Sequence, residues 1–106
     1  MNALVQAVLS ELQMRLKSHY GDRLKQLLLY GSTARGEAEP GSDLDVLVVL
    51  QGPVDAGQEI ARTGSIVAAL SLTYDVVIAC VFMDQERFLH RQGPFLRNVH
   101  REGIPL

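Results

Sequence analysis

The chain has one cysteine, Cys80, so no disulfide can form within it, and a reducing cytoplasm is the expected setting. Cys80 falls in the apolar run from Val76 to Phe82, where the ordinary role of a lone thiol is that of a small buried hydrophobe. No positively charged segment followed by an apolar core opens the sequence, which predicts no signal peptide. No apolar run approaches the roughly 20 residues of a membrane helix, so no membrane association is expected. Basic residues are not in excess: 10 lysines and arginines stand against 12 aspartates and glutamates, and a formal net charge of -2 argues against a general nucleic-acid binder. Low-complexity tracts, internal repeats and long linkers are absent too, and 106 residues are expected to form one domain spanning 1–106.

What is present is local. Between Glu37 and Asp75 lie seven acidic residues and one basic residue, Arg62. That excess suits a cation, although Glu37, Glu39 and Glu59 read equally well as solvated surface. Asn2 to Tyr20 has the three- and four-residue spacing of an amphipathic helix, with Val5, Val8, Leu9, Leu12 and Leu16 on one face. Leu24 to Tyr30 reads as a buried strand stopped by Gly31, and Asp43 to Leu50 as a second. Asp55 and Gln58 make a capping box for a helix to about Leu70. Thr73 to Phe82 reads as a third strand, with Asp75 near its start. Asp84 caps a short helix through Arg91, and Pro94 opens a last one from Phe95 to Arg101, ended by Gly103. This order predicts an α/β (α+β) fold, a small mixed sheet with helices packed on it.

Residues two apart in a strand face the same way, so Asp43 and Asp45 project side by side while Leu44 and Val46 point oppositely. The intervening helix allows a crossover that makes the second and third strands parallel neighbours, which would bring Asp75 to the same edge. Clustered carboxylates raise one another's pKa, and a bound divalent cation removes the conflict. Oxygen-only ligands suit Mg²⁺, with Mn²⁺ as the alternative. The preceding turn adds a second element. Gly31-Ser32 ends a strand, and its backbone N–H groups and the Ser32 hydroxyl can hold phosphate oxygens. It is no Walker A loop, because Glu37 stands where lysine is required and Pro40-Gly41 opposes a long helix. Nor are its glycines spaced for dinucleotide binding. Arg35 is either a phosphate-binding cation or an exposed loop arginine.

Gly31-Ser32, ten residues and then Asp43-Leu44-Asp45, within "YGSTARGEAEPGSDLDVLVVL", resembles the signature of the DNA polymerase beta nucleotidyltransferase superfamily, and in particular its minimal nucleotidyltransferase (MNT) branch. The resemblance extends to the first helix and to a third aspartate in "LTYDVVIACV". It implies that Asp43 and Asp45 hold two Mg²⁺ ions against a nucleoside triphosphate, with ATP expected. It further implies that Asp75 completes the ion activating the attacking hydroxyl and helps deprotonate it, and that Gly31, Ser32 and Arg35 hold the β- and γ-phosphates. Attack at the α-phosphorus would then release pyrophosphate.

MNT domains are commonly antitoxins paired with HEPN-domain RNase toxins, either adenylylating a toxin tyrosine or otherwise neutralising the toxin. The resemblance therefore implies a HEPN-type toxin as partner. The chain is not the toxin half, since His19, His90 and His100 form no Arg-x4–6-His motif. Two alternatives stand beside this reading: a small-molecule nucleotidyltransferase similar to aminoglycoside-modifying enzymes, and a binding module that blocks its partner sterically. A chain of this length is expected to be too short to enclose a small acceptor as well as the metal site, which favours a protein acceptor. Apolar surface around Phe88, Leu89, Phe95 and Leu96 is the expected partner contact, and association with further copies of the chain is left open.

Overall fold

The computed structural model describes residues 2–39 and 41–106; Pro40, expected to oppose helix formation after the turn, lies outside the described residues. Helix α1 spans Ala3–Tyr20 and buries Val8, Leu9, Leu12 and Leu16, the periodic face of the sequence. Its first turn is capped by Asn2, whose side chain accepts the Val5 N–H at 2.8 Å, and Gly21 ends it at φ 57°. A single 3-10 turn leads into β1, Leu24–Tyr30, followed by one helical turn, α2, over Gly31–Ala34. Strand β2 runs from Leu44 to Leu50, helix α3 from Ala56 to Tyr74, and β3 from Ile78 to Asp84. Two short helices, α4 (Gln85–His90) and α5 (Gly93–Glu102), precede β4, Ile104–Pro105, a strand the sequence did not announce.

The third strand is where expectation and structure part. Nothing between Leu70 and Tyr74 breaks a helix, so α3 continues four residues past Leu70 and consumes the expected start of the strand. Termination falls to Asp75, which adopts the left-handed conformation (φ 53°, ψ 50°) and donates its N–H to the Ser71 carbonyl. Aspartate is one of the few non-glycine residues that tolerate this conformation. Asp75 is thus an exposed helix cap three residues before β3, and not a strand residue.

The four strands lie in the order β3-β2-β1-β4. β1 is antiparallel to β2 and to β4, while β2 and β3 are parallel, as the α3 crossover requires. Helices cover both faces. Leu27, Leu29, Leu44, Val46, Val48 and Leu50 pack towards α1 and α3 with Ile78 and Phe82 of β3. Leu28, Leu47, Val49 and Met83 pack on the other side against Phe88 of α4 and Leu96 and Val99 of α5. Burial on both sides explains the unbroken apolar run of β2, where alternation would mark a half-exposed strand. It also corrects the expected partner surface. Phe88 and Leu96 are core residues, and only Leu89 and Phe95 of that group are exposed. His100 ties α4 to α5 through a 2.8 Å hydrogen bond to the Phe88 carbonyl and by stacking on the Phe88 ring. Among the described residues no helix is long and apolar enough to cross a membrane.

Glu59, one of the acids that read as solvated, is 2 % exposed. Its carboxylate accepts the Tyr20 hydroxyl at 2.9 Å and pairs with Arg62 at 3.1 Å and Arg23 at 3.5 Å. A buried carboxylate needs such partners, and these join α1, the start of β1 and α3. Arg23 also donates to the carbonyls of Gln51 and Pro53, holding the connection that leaves β2. This network closes the end of the sheet where β1 begins; the Gly31 turn follows the other end of that strand.

Candidate active site

The end of β1, the start of β2 and the turn between them bring Tyr30, Gly31, Asp45 and Asp43 together. Tyr30 is the cross-strand partner of Asp45. Asp45 has the parity of Leu47 and Val49 and so lies on the α5 face of the sheet, with Asp43 two residues before it. Asp43 precedes the first hydrogen-bonded strand residue by one and is exposed, while Asp45 is half-buried.

Glycine at position 31 is required twice. Its φ of 77° is unfavourable for any residue with a Cβ, and a Cβ placed there would collide with the Asp45 Oδ2. The turn therefore lies directly against the carboxylate. Backbone bonds hold it closed: Arg35 N–H to the Gly31 carbonyl at 3.2 Å and Glu37 N–H to the Ser32 carbonyl at 2.9 Å. Ser32 is half-buried on this turn. A cavity of ≈ 490 Å³ opens nearby, where Leu44 lines it; Thr33 and Ser42 contribute as well, but neither aspartate does.

Electrostatics mark Asp45. Burial, reinforced by the neighbouring Asp43 charge, raises its pKa above the ordinary aspartate value, with Arg35 opposing the shift. Burial and the Asp45 charge likewise push the Tyr30 phenol upward. Arg35 is held more firmly protonated, first by its hydrogen bond to Glu37 at 2.9 Å and then by Glu102, 3.6 Å away at the end of α5. Helix α5 also touches the site through Phe95, whose ring meets the Tyr30 ring edge-on at 5.3 Å. Cys80 is only partly buried, packed against the core, and desolvation pushes its thiol up to about 11, so it packs as an unreactive side chain.

Of the six residues singled out from the sequence, the structure gathers Gly31, Ser32, Arg35, Asp43 and Asp45. Asp75 stays apart, and no group of three or more histidine, cysteine, aspartate or glutamate side chains that could hold a metal occurs among the described residues. The expected cluster of three carboxylates is therefore corrected to a pair. A pair still fits a hard cation, because Mg²⁺ is commonly held by one or two carboxylates together with substrate phosphates. Tyr30, Phe95 and Glu102 were missed. Tyr30 could have been found only from the β1–β2 register, and the other two only from where α5 docks.

A four-stranded mixed sheet with helices on both faces, carrying a glycine-serine turn against paired aspartates, defines the class: a small α/β nucleotide-transfer domain. The nucleotidyltransferase domain family model matches residues 9–103, and the chain belongs to that family. It is 39% identical over 89 residues, 83% of each chain, to a Methanocaldococcus jannaschii protein named "Putative protein adenylyltransferase MJ0604". Among solved structures it resembles a chain of a toxin–antitoxin complex with AMP-PNP (TM-score 0.59, 22% identity, 89% of this chain and 68% of that one). It also resembles a chain of the complex of tri-AMPylated Shewanella oneidensis HEPN toxin with MNT antitoxin (TM-score 0.51, 19% identity, 92% and 70%). At these identities the two structures speak for the fold.

Proposed function

We propose that this nucleotidyltransferase domain transfers AMP from ATP to a hydroxyl on a partner protein, a tyrosine of a HEPN-type toxin, and so acts as an antitoxin. The observation that carries the reading is the seating of the Gly31 turn on the Asp45 carboxylate, which sets a phosphate-binding element beside a cation-binding one. The name of the Methanocaldococcus relative supports a protein acceptor, and the two complexes support nucleotide and toxin.

In this mechanism Asp43 and Asp45 hold Mg²⁺, which when bound neutralises phosphate charge. The Ser32 hydroxyl and the turn backbone orient the β- and γ-phosphates, and Arg35 adds positive charge towards them. The acceptor oxygen attacks the α-phosphorus, forming one P–O bond as the bond to the bridging oxygen breaks and pyrophosphate leaves. The acceptor proton passes to solvent, Asp75 being an exposed helix cap that forms no metal-holding group with the carboxylate pair. Tyr30, the cross-strand neighbour of Asp45, flanks that side of the site with its ring against Phe95.

Intact-mass analysis of a HEPN-type toxin co-expressed with the chain tests the proposal. Addition of adenylate with the wild-type chain, and none with Asp43→Asn, is expected. A toxin neutralised equally well by both proteins, and never modified, would establish steric binding instead.

A further inference from the structure

Arg35 is not waiting free for a phosphate. Its guanidinium is shared between Glu37 at 2.9 Å and Glu102 at 3.6 Å, both from the chain itself. Glu37 belongs to the same loop, but Glu102 is the last residue of α5, a helix the turn meets only through folding. The position of Glu102 is tightly determined. The next residue, Gly103, donates to the Val99 carbonyl at 2.7 Å, and a Cβ on it would come within 2.5 Å of that oxygen and 3.3 Å of the Leu28 side chain. Directly after it, Ile104 and Pro105 pair with Leu29 and Leu28 of β1, the strand that ends in the turn. The backbone that carries Glu102 is therefore fastened to the same strand that carries the phosphate turn, while its carboxylate, partly exposed, reaches Arg35 and also pairs with Arg101 at 3.3 Å.

We infer that Glu102 sets the affinity of the site for a triphosphate by competing with it for Arg35. The inference rests on the nucleotide-binding reading given above and adds to it a determinant outside the signature. Two carboxylates facing one guanidinium neutralise the only cationic side chain on the turn. A polyphosphate must take over at least one of these partnerships to use Arg35. The exchange is feasible because the pairs are solvent-accessible and individually weak, whereas phosphate accepts from a guanidinium in bidentate fashion.

Isothermal titration of ATP with Mg²⁺ into the wild-type chain, Glu102→Gln, Arg35→Ala and the double variant tests this as a thermodynamic cycle. Glu102→Gln is expected to tighten ATP binding by about two- to fivefold, the range set by an exposed ion pair, and to change nothing once Arg35 is alanine. Glu37→Gln should act in the same direction, giving a second variant remote from α5. Unchanged or weaker binding by Glu102→Gln overturns the inference. So does tightening that persists without Arg35, which would reflect general charge removal. Absence of ATP binding by the wild-type chain would overturn the nucleotide-binding reading together with this one, whereas binding indifferent to Glu102 overturns this one alone.

Discussion

Replacing Gly31 by alanine perturbs the contact on which the site is built, and its cost can be worked from the structure. Two terms add. Alanine at φ 77° costs about 1–2 kcal/mol in backbone strain. The new methyl also meets the Asp45 carboxylate, which must leave its rotamer at a further cost of about 0.5–1.5 kcal/mol. Together they predict a loss of about 1.5–3.5 kcal/mol, or roughly 10–20 °C in Tm at the middle of that range for a domain of this size. Gly36 supplies the control. It has nearly the same φ, 74°, but nothing within 4 Å of its missing Cβ, so Gly36→Ala carries the backbone term alone. Thermal and denaturant unfolding of both variants, each also made in an Asp45→Ala background, separates the two terms. In that background Gly31→Ala should cost no more than Gly36→Ala. Equal costs for the two glycines with Asp45 present, or a Gly31 penalty indifferent to Asp45, would refute the contact.

Further expectations concern the charged groups. Because burial and Asp43 raise the Asp45 pKa, the stability conferred by its protonation is present at low pH and lost as pH rises through that raised value. Without metal, Asp45→Asn should therefore melt above wild type at neutral pH, with the advantage shrinking as pH falls through the Asp45 pKa; the same variant should lose transfer activity by orders of magnitude. Asp75→Asn should fold normally, since asparagine accepts the left-handed cap, and should reduce transfer far less than Asp45→Asn; an equal loss would restore Asp75 to the site. Glu59→Gln should destabilise by about 1.5–3 kcal/mol in chemical unfolding, through its bonds to Tyr20 and the two arginines, and leave nucleotide affinity unaltered.

How much was legible follows from how local each determinant is. The Gly31-Ser32 turn and Asp43-Leu44-Asp45 are contiguous motifs, and strand parity was enough to put Asp45 on the face of Leu47 and Val49, with Asp43 just ahead of the strand. Asn2, Asp55 and Asp84 were readable as caps because each bonds an N–H three residues on. Asp75 was misplaced because a left-handed aspartate has no sequence signal comparable to glycine, and a helix ending in Leu-Thr-Tyr resembles a strand beginning there. Burial of Glu59 depended on Tyr20, 39 residues away, and on Arg23. The α4–α5 pattern misled because neighbouring apolar residues in a short helix face different ways: Phe88 and Leu96 entered the core while Leu89 and Phe95 stayed outside. Glu102 beside Arg35 was invisible until α5 docked.

The central claim, that the turn and the paired aspartates together hold metal and nucleotide, is tested most directly by ¹H–¹⁵N spectra of the chain with ATP as Mn²⁺ is added in place of Mg²⁺. Paramagnetic broadening should appear first at Gly31, Ser32, Asp43 and Asp45, with Tyr30 next and the Glu59–Arg23 end of the sheet still sharp. Broadening centred on the acidic surface around Asp84 and Glu86, with the Gly31 and Asp45 amides unaffected, would contradict it.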